Sequence, residues 1–266
     1  GEDSNEDENS NKDYRYTRSL ESEKNGAVGK SIYTINVTDE DGLAVYGKTP
    51  TLKPMMAMAA GHKHSSPHTG CTETNDQGNS DCTVYFLMPS AMGDEVMGTW
   101  TINLELDDAK PLSFVPTVTM PMTETVKVDL KDNDDTVNGT ARRYTIFNSS
   151  AASNAQGERS IELFISSKES MMSFPALQTN STLSAGTEDE LNVDSVSVLV
   201  STDNDAETWT TATTDGDGVW TADIDNYSNA FYVKLSVNGT AKKSGELDYA
   251  TFKKTESMMM KDMADK

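Results

Sequence analysis

The sequence predicts an all-β protein: two immunoglobulin-like β-sandwich domains in tandem with a disordered N-terminal leader. Three observations carry this expectation. Short runs rich in Val, Ile, Thr and aromatics alternate with period two, Asp/Asn/Gly turn signals separate them, and no helix-period stretch of useful length competes. At 266 residues the chain is long enough for two ordinary domains.

The opening GEDSNEDENSNKD is acidic and polar, with too little apolar area to offset the entropy of ordering it, so residues 1–26 read as a mobile tether. Strands then begin at SIYTINVT, where Ile32, Thr34 and Asn36 alternate with Tyr33, Ile35 and Val37, and DEDG at Asp39–Gly42 supplies a hairpin turn. Further strands read at CTVYFLM, GTWTINLEL and ETVKVDL, which gives a first sandwich over 27–130. The polar stretch KDNDDTVNGTAR over 131–142 has no hydrophobic face and reads as a linker. RYTIFNS, RSIELFIS, SVSVLVST, DGVWTADI and AFYVKLSVNG make a second sandwich over 143–250, and 251–266 is a Met-rich flexible tail. Both series carry a Trp just after a Gly, in MGTWTINL and DGVWTADI, as a duplicated domain would.

Lys and Arg number 22 against 43 Asp and Glu, a formal charge of −21. That surplus of carboxylates repels phosphate backbones and anionic lipid headgroups, which argues against nucleic acid and against electrostatic docking to membranes. No run of eighteen apolar residues is present, so membrane association is expected only through a lipid anchor, a role in which polar leaders of this composition serve in bacterial lipoproteins. Cys71 and Cys82 have ten residues between them in a Gly/Ser/Thr/Asn/Asp stretch, a spacing that suits a disulfide in an oxidising compartment better than a metal-binding pair. Together these features place the protein outside the cytoplasm, in a periplasm or on an outer surface.

The segment TLKPMMAMAAGHKHSSPHTGC stands apart. Met55, Met56, Met58, His62, His64 and His68, including every histidine of the chain, fall within fourteen residues. Thioether sulfur is a soft neutral donor and imidazole an intermediate one, so the mixture selects copper. Met88, Met92 and Met97 are candidates for further sulfur ligands, with Met120 and Met122 weaker additions. The Asp-rich turns DEDG, DNDD, STDND and DGDG invite calcium less strongly, since none has the spacing of a twelve-residue EF-hand loop and each already serves as a turn. No GxSxG, HExxH or phosphate-cradling glycine loop occurs, and the sequence offers nothing that argues for an enzyme.

Through P-MMAM-GHKHSSP at Pro54–Pro67 and Met-Gly-x-Trp at Met97–Trp100, the first domain resembles the YtkA-like family of small exported β-sandwich domains, related to FixH-like proteins. The resemblance covers about a third of the chain. It implies an extracytoplasmic immunoglobulin-like fold with a link to copper handling, and matches Met56, Met58, His62, His64 and Met97 by position. The Cys71–Cys82 insertion and the second domain depart from that pattern. The corresponding KESMMSFPALQTNSTLS keeps Met171, Met172 and Pro175 without a histidine, as a copy that had become a spacer or partner-binding unit would.

Two functions follow as expectations. One is a copper chaperone, sensor or buffer whose His/Met loop holds the ion and passes it to or from a protein partner. The other is a cell-surface or periplasmic structural or interaction protein of tandem sandwiches with no metal site, a use the fold alone cannot separate from the first.

Overall fold

Alternating strands need a partner sheet to cover their apolar faces, and a computed structural model describing residues 13–153, 159–203, 207–224 and 230–254 shows how they find one. No described residue is helical. In the first sandwich one sheet runs in the order Tyr16–Leu20, Gly29–Asp39, Asn79–Phe86, His68–Cys71. The other runs Leu112–Phe114, Gly98–Glu105, Thr51–Met58, Lys63–His64. The alternation read from the sequence holds: Tyr33, Ile35, Val84 and Phe86 from one sheet and Leu52, Trp100 and Ile102 from the other share one buried cluster, while Thr34 and Asn36 face outward.

Trp100 is fully buried, and the glycine two residues before it has a geometric reason. A Cβ at Gly98 would lie 2.5 Å from the Ala57 carbonyl oxygen and 2.9 Å from Met56 Cε, because Gly98 sits opposite Met58 in the strand pair. Gly98→Ala should therefore lose about 1–3 kcal/mol of stability through overpacking, read as a lower urea midpoint with unchanged slope; an unchanged midpoint would contradict the contact.

The second sandwich sets Lys127–Val137, Thr140–Ser153, Arg159–Lys168, Val219–Ile224 and Thr213–Gly216 in one sheet. The other contains Thr210–Thr211, Val196–Ser201, Ala230–Val237 and Thr240–Ala241, with Ala250–Lys253 also paired to Ala230–Val237. Ile146, Ile161, Leu163 and Ile165 meet Val198, Val200, Phe231 and Phe252 in its core.

Three boundaries differ from the sequence reading. Residues 13–26 of the expected leader are built into the first sandwich: Tyr16–Leu20 pairs with Gly29–Asp39, and Gly26–Ala27 pairs with Val118–Thr119. Tyr16 and Arg18 point inward, and the Arg18 guanidinium donates to the carbonyls of Leu104 and, at 2.7 Å, Lys110. A guanidinium has no acceptor capacity, so carbonyls at the end of a sheet serve its two terminal nitrogens. Residues 1–12 lie outside the described residues.

The expected linker 131–142 is a hairpin, with Lys127–Val137 pairing with Thr140–Ser153 about a turn at Asn138 and Gly139. Their φ angles are 52° and 80°, which is why an Asn-Gly pair occupies the turn. The inward side of this polar hairpin is ionic rather than apolar. Arg142 donates to Glu169 at 2.8 Å, to Asp135 at 2.6 Å and to the Asp189 carbonyl at 2.7 Å, while Lys242 lies 3.0 Å from Asp135 and 3.5 Å from Asp132. Tyr144 donates its hydroxyl to Asp135, and Ser167 and Ser184 donate to Glu169. Asp132 and Asp135 of the DNDD turn are thus bound by cations of the chain itself, and one Asp39 oxygen in DEDG accepts the amides of Asp41 and Leu43 at 2.9 Å each.

The expected tail starts within a strand, Ala250–Lys253, and 255–266 falls outside the described residues. That strand runs back to the point where the two sandwiches meet. Thr125 donates its amide to the Lys253 carbonyl at 2.8 Å, and the backbones of Glu124 and Lys254 pair in an antiparallel β-bridge.

Outward aromatics hold the sandwiches together. Phe86 faces the first core, so its neighbour Tyr85 points out of that sandwich, yet it is only 1% exposed. Phe164, between the inward Leu163 and Ile165, points out of the second sandwich and is fully buried. The two rings stack with centroids 3.8 Å apart and planes 11° apart, and Phe147 lies 5.4 Å from Tyr85. Lys30 and Glu162 add an ion pair at 3.1 Å across the same seam.

Candidate functional site

The His/Met segment is not a loose loop. After Thr51–Met58 the chain turns tightly at Ala59–Gly61, where Met58 donates to the His62 carbonyl at 2.8 Å and Gly61 to the Met58 carbonyl at 2.9 Å. Lys63–His64 returns antiparallel, setting His64 opposite Met56. His64, Ser65, Ser66 and Pro67 are then buried as the chain crosses from one sheet of the sandwich to the other. Two hydroxyls tie this crossover down, Ser65 Oγ donating to the Pro54 carbonyl at 2.8 Å and Ser66 Oγ to the Tyr85 carbonyl at 2.6 Å.

This course separates the candidate ligands. Met55 lies on the opposite face of its strand from Met56 and Met58, because side chains alternate. Met56 is fully buried in the core. His62 is exposed on the turn, and His68 is exposed on the edge strand with its Nδ1 2.9 Å from the Ser66 carbonyl. Met97 packs against the first core from the loop before Gly98. Three candidates remain together: His64 Nε2 is 3.2 Å from Met88 Sδ, and Met58 borders the same cavity. The set Met56, Met58, His62, His64 and Met97 implied by the family resemblance does not converge as a whole.

The cavity, of about 290 Å³, lies between the sandwiches. The first domain supplies Met58, His64, Leu87 and Met88; the second supplies Met171 and Phe174, with Lys127, Arg143 and Lys168 as its basic wall. Asp129, which receives the Thr145 hydroxyl at 2.7 Å, is its acidic member. Burial, together with the charge of Arg143, holds the Lys168 ammonium below the ordinary lysine range against the pull of Asp129. Met171 is anchored beside His64, since the Ser65 amide donates to the Met171 carbonyl at 2.8 Å. Sequence reasoning passed over Met171 as part of a copy without histidine; its methionine pair was the signal, but its approach to His64 depends on how the domains dock.

His64 is held by its own backbone neighbour and by Trp100, which is itself tied down. Its Nδ1 lies 2.7 Å from the Ser65 carbonyl, its ring meets the Trp100 indole edge to face at 5.4 Å, and the indole Nε1 donates to the Met88 carbonyl at 2.9 Å. Among the described residues, no group of three or more His, Cys, Asp or Glu side chains is placed to hold a metal ion. Cys71 and Cys82 are disulfide-bonded as opposed residues of adjacent strands, as their spacing indicated.

Fold and site together define a protein of two docked β-sandwiches with a cavity at their junction. No family model matches the chain, and no curated protein matches it. Among solved structures it is similar to the Escherichia coli adhesin FdeC, at 16% identity and a TM-score of 0.29, over 86% of this chain and 60% of that one. It is similar to the surface layer protein SbsC, domains 4–9, at 12% identity and a TM-score of 0.27, over 89% of this chain and 30% of that one. It is also similar to the Yersinia pseudotuberculosis adhesin InvE, at 13% identity and a TM-score of 0.26, over 88% of this chain and 57% of that one. The chain thus spans less than two thirds of each. At these scores neither shared ancestry nor a shared task follows.

Proposed function

We propose that the chain is an extracytoplasmic, non-catalytic structural or interaction module in which two sandwiches are held at a fixed mutual orientation. The observation that carries this reading is the Tyr85–Phe164 stack: outward aromatics from both domains are buried only because the domains dock. A protein that needed its domains to swing apart would gain nothing from that seam, whereas a scaffold that presents faces in register needs it. The disulfide supports export, since cytosolic thiols are kept reduced. An exposed, labile copper-transfer loop has less support, because His62 and His68 are exposed whereas His64 is buried against Met88.

Two measurements test the reading. In producing cells quenched with acid and treated with a maleimide mass tag, both cysteines should resist tagging until reduced; free thiols would refute export. Backbone NMR relaxation of the purified chain should give one rotational correlation time for both sandwiches, and two separate times would refute the fixed orientation.

A further inference from the structure

We propose that Met58, His64, Met88 and Met171 form a binding site for a soft monovalent metal ion, Cu(I) in chemical class, closed across the junction of the two sandwiches. This goes beyond the structural role, which requires no ion.

The first argument concerns protons. A carbonyl oxygen only accepts hydrogen bonds, so the Ser65 oxygen 2.7 Å from Nδ1 places a proton on that nitrogen. In the neutral ring Nε2 is then a bare lone pair, and at 3.2 Å it faces a thioether sulfur that has no proton to give. Two electron-pair donors in contact oppose each other unless the ring takes a second proton or a cation is shared between them. Metal bonds of about 2.0 Å to nitrogen and about 2.3 Å to sulfur, as found for zinc, fit such a spacing.

The second argument is donor chemistry. One imidazole with thioethers is a neutral, soft set, and thioethers bind without losing a proton. Met58 borders the cavity from the strand next to His64, and Met171 enters from the second domain, its main chain fixed one residue from His64 by the Ser65–Met171 hydrogen bond. Trp100 holds the His64 ring and the Met88 carbonyl in place from behind.

The third argument is charge. Lys127, Arg143 and Lys168 line the cavity, and its one carboxylate, Asp129, accepts the Thr145 hydroxyl at 2.7 Å and lies 3.8 Å from Arg143 Nε. A basic wall repels a dication about twice as strongly as a monocation at the same distance. The site thereby favours Cu(I) over Cu(II), zinc or calcium.

Because Met171 belongs to the second domain, an ion bound by the docked pair stabilises docking by linkage. The test uses the full chain with Met258, Met259, Met260 and Met263 changed to Leu, which removes the tail's own sulfur. Ag(I), which needs no reductant, and Cu(I) are titrated by calorimetry and by competition with a chromogenic chelator. One ion per chain is expected, with an X-ray absorption spectrum showing one nitrogen and two or three sulfur neighbours. Met88→Leu, which conserves volume, and His64→Ala should each weaken binding by at least about tenfold. Met171→Leu should weaken it too and abolish the rise in melting temperature that Ag(I) gives the parent. Absence of binding, a sulfur-only spectrum, or affinity unchanged in both Met88→Leu and His64→Ala would overturn the site. Any of these failures leaves the thiol and relaxation tests of the structural role untouched.

Discussion

Replacing Arg142 by Met should destabilise the second sandwich by about 3–5 kcal/mol, the range expected when one partner of a buried ion pair is removed. Arg142 is 2% exposed and holds Asp135 at 2.6 Å and Glu169 at 2.8 Å. Without it two carboxylates sit in the protein interior with Lys242 as the remaining nearby cation, 3.0 Å from Asp135. Urea unfolding followed by the fluorescence of Trp209 and Trp220, in a Trp100→Phe background, reports the loss at this domain's own tryptophans. A loss below about 1 kcal/mol would mean that the cluster is dispensable. The triple replacement Arg142→Met, Asp135→Leu, Glu169→Leu should recover most of the loss, because a packed apolar group carries no desolvation cost.

The same cluster sets an acid limit. Burial pushes the Asp135 carboxyl up, but hydrogen bonds from Tyr144 and Lys242 and the charges of Lys242 and Arg142 outweigh it and hold the group below the usual carboxylate range. A carboxyl whose folded value lies below its unfolded value of about 3.9 contributes stability that is complete above that pH and is lost as pH falls through the folded value. Stability should therefore fall below about pH 4, and Asp135→Asn should flatten that part of the profile while lowering stability at neutral pH. An identical acid limb in the variant would assign the effect elsewhere.

The second large effect is expected at the seam. Phe164→Ala removes a fully buried ring and should lose about 3–5 kcal/mol. Its distinguishing result is loss of coupling. Inward residues such as Leu163 and Ile165 keep the second core, and Trp100 keeps the first, so the domains should fold and melt in two separated calorimetric transitions where the parent shows one. Lys30→Ala, by contrast, removes a partly exposed ion pair and should shift stability by less than about 1 kcal/mol. A single transition in Phe164→Ala would show that the domains are joined by something other than this stack.

Much of the architecture was legible because strands with one wet face announce their period. SIYTINVT, GTWTINLEL and AFYVKLSVNG all bury the residues that their alternation assigns inward. The seam was not legible for the complementary reason. In VYF and ELFIS apolar residues occupy both parities, and the sequence does not say what covers the second face. KDNDD was misread because its acidic side chains look solvated until Arg142 and Lys242, the latter more than a hundred residues away, arrive beside them. At the candidate site the clustering of His and Met was visible, but the choice among them was not. It depends on the pleat, which sends Met55 away, on the turn, which exposes His62, and on domain docking, which brings in Met171.

The strand Ala250–Lys253 ends beside Glu124 and Thr125, where the first sandwich gives way to the second. A tensile load gripping Tyr16 and Lys254 would accordingly act across the first sandwich and the waist, leaving the far end of the second slack until this short strand peels from Ala230–Val237. Under that load the second sandwich hangs from the waist like a pendant rather than standing in line as a link.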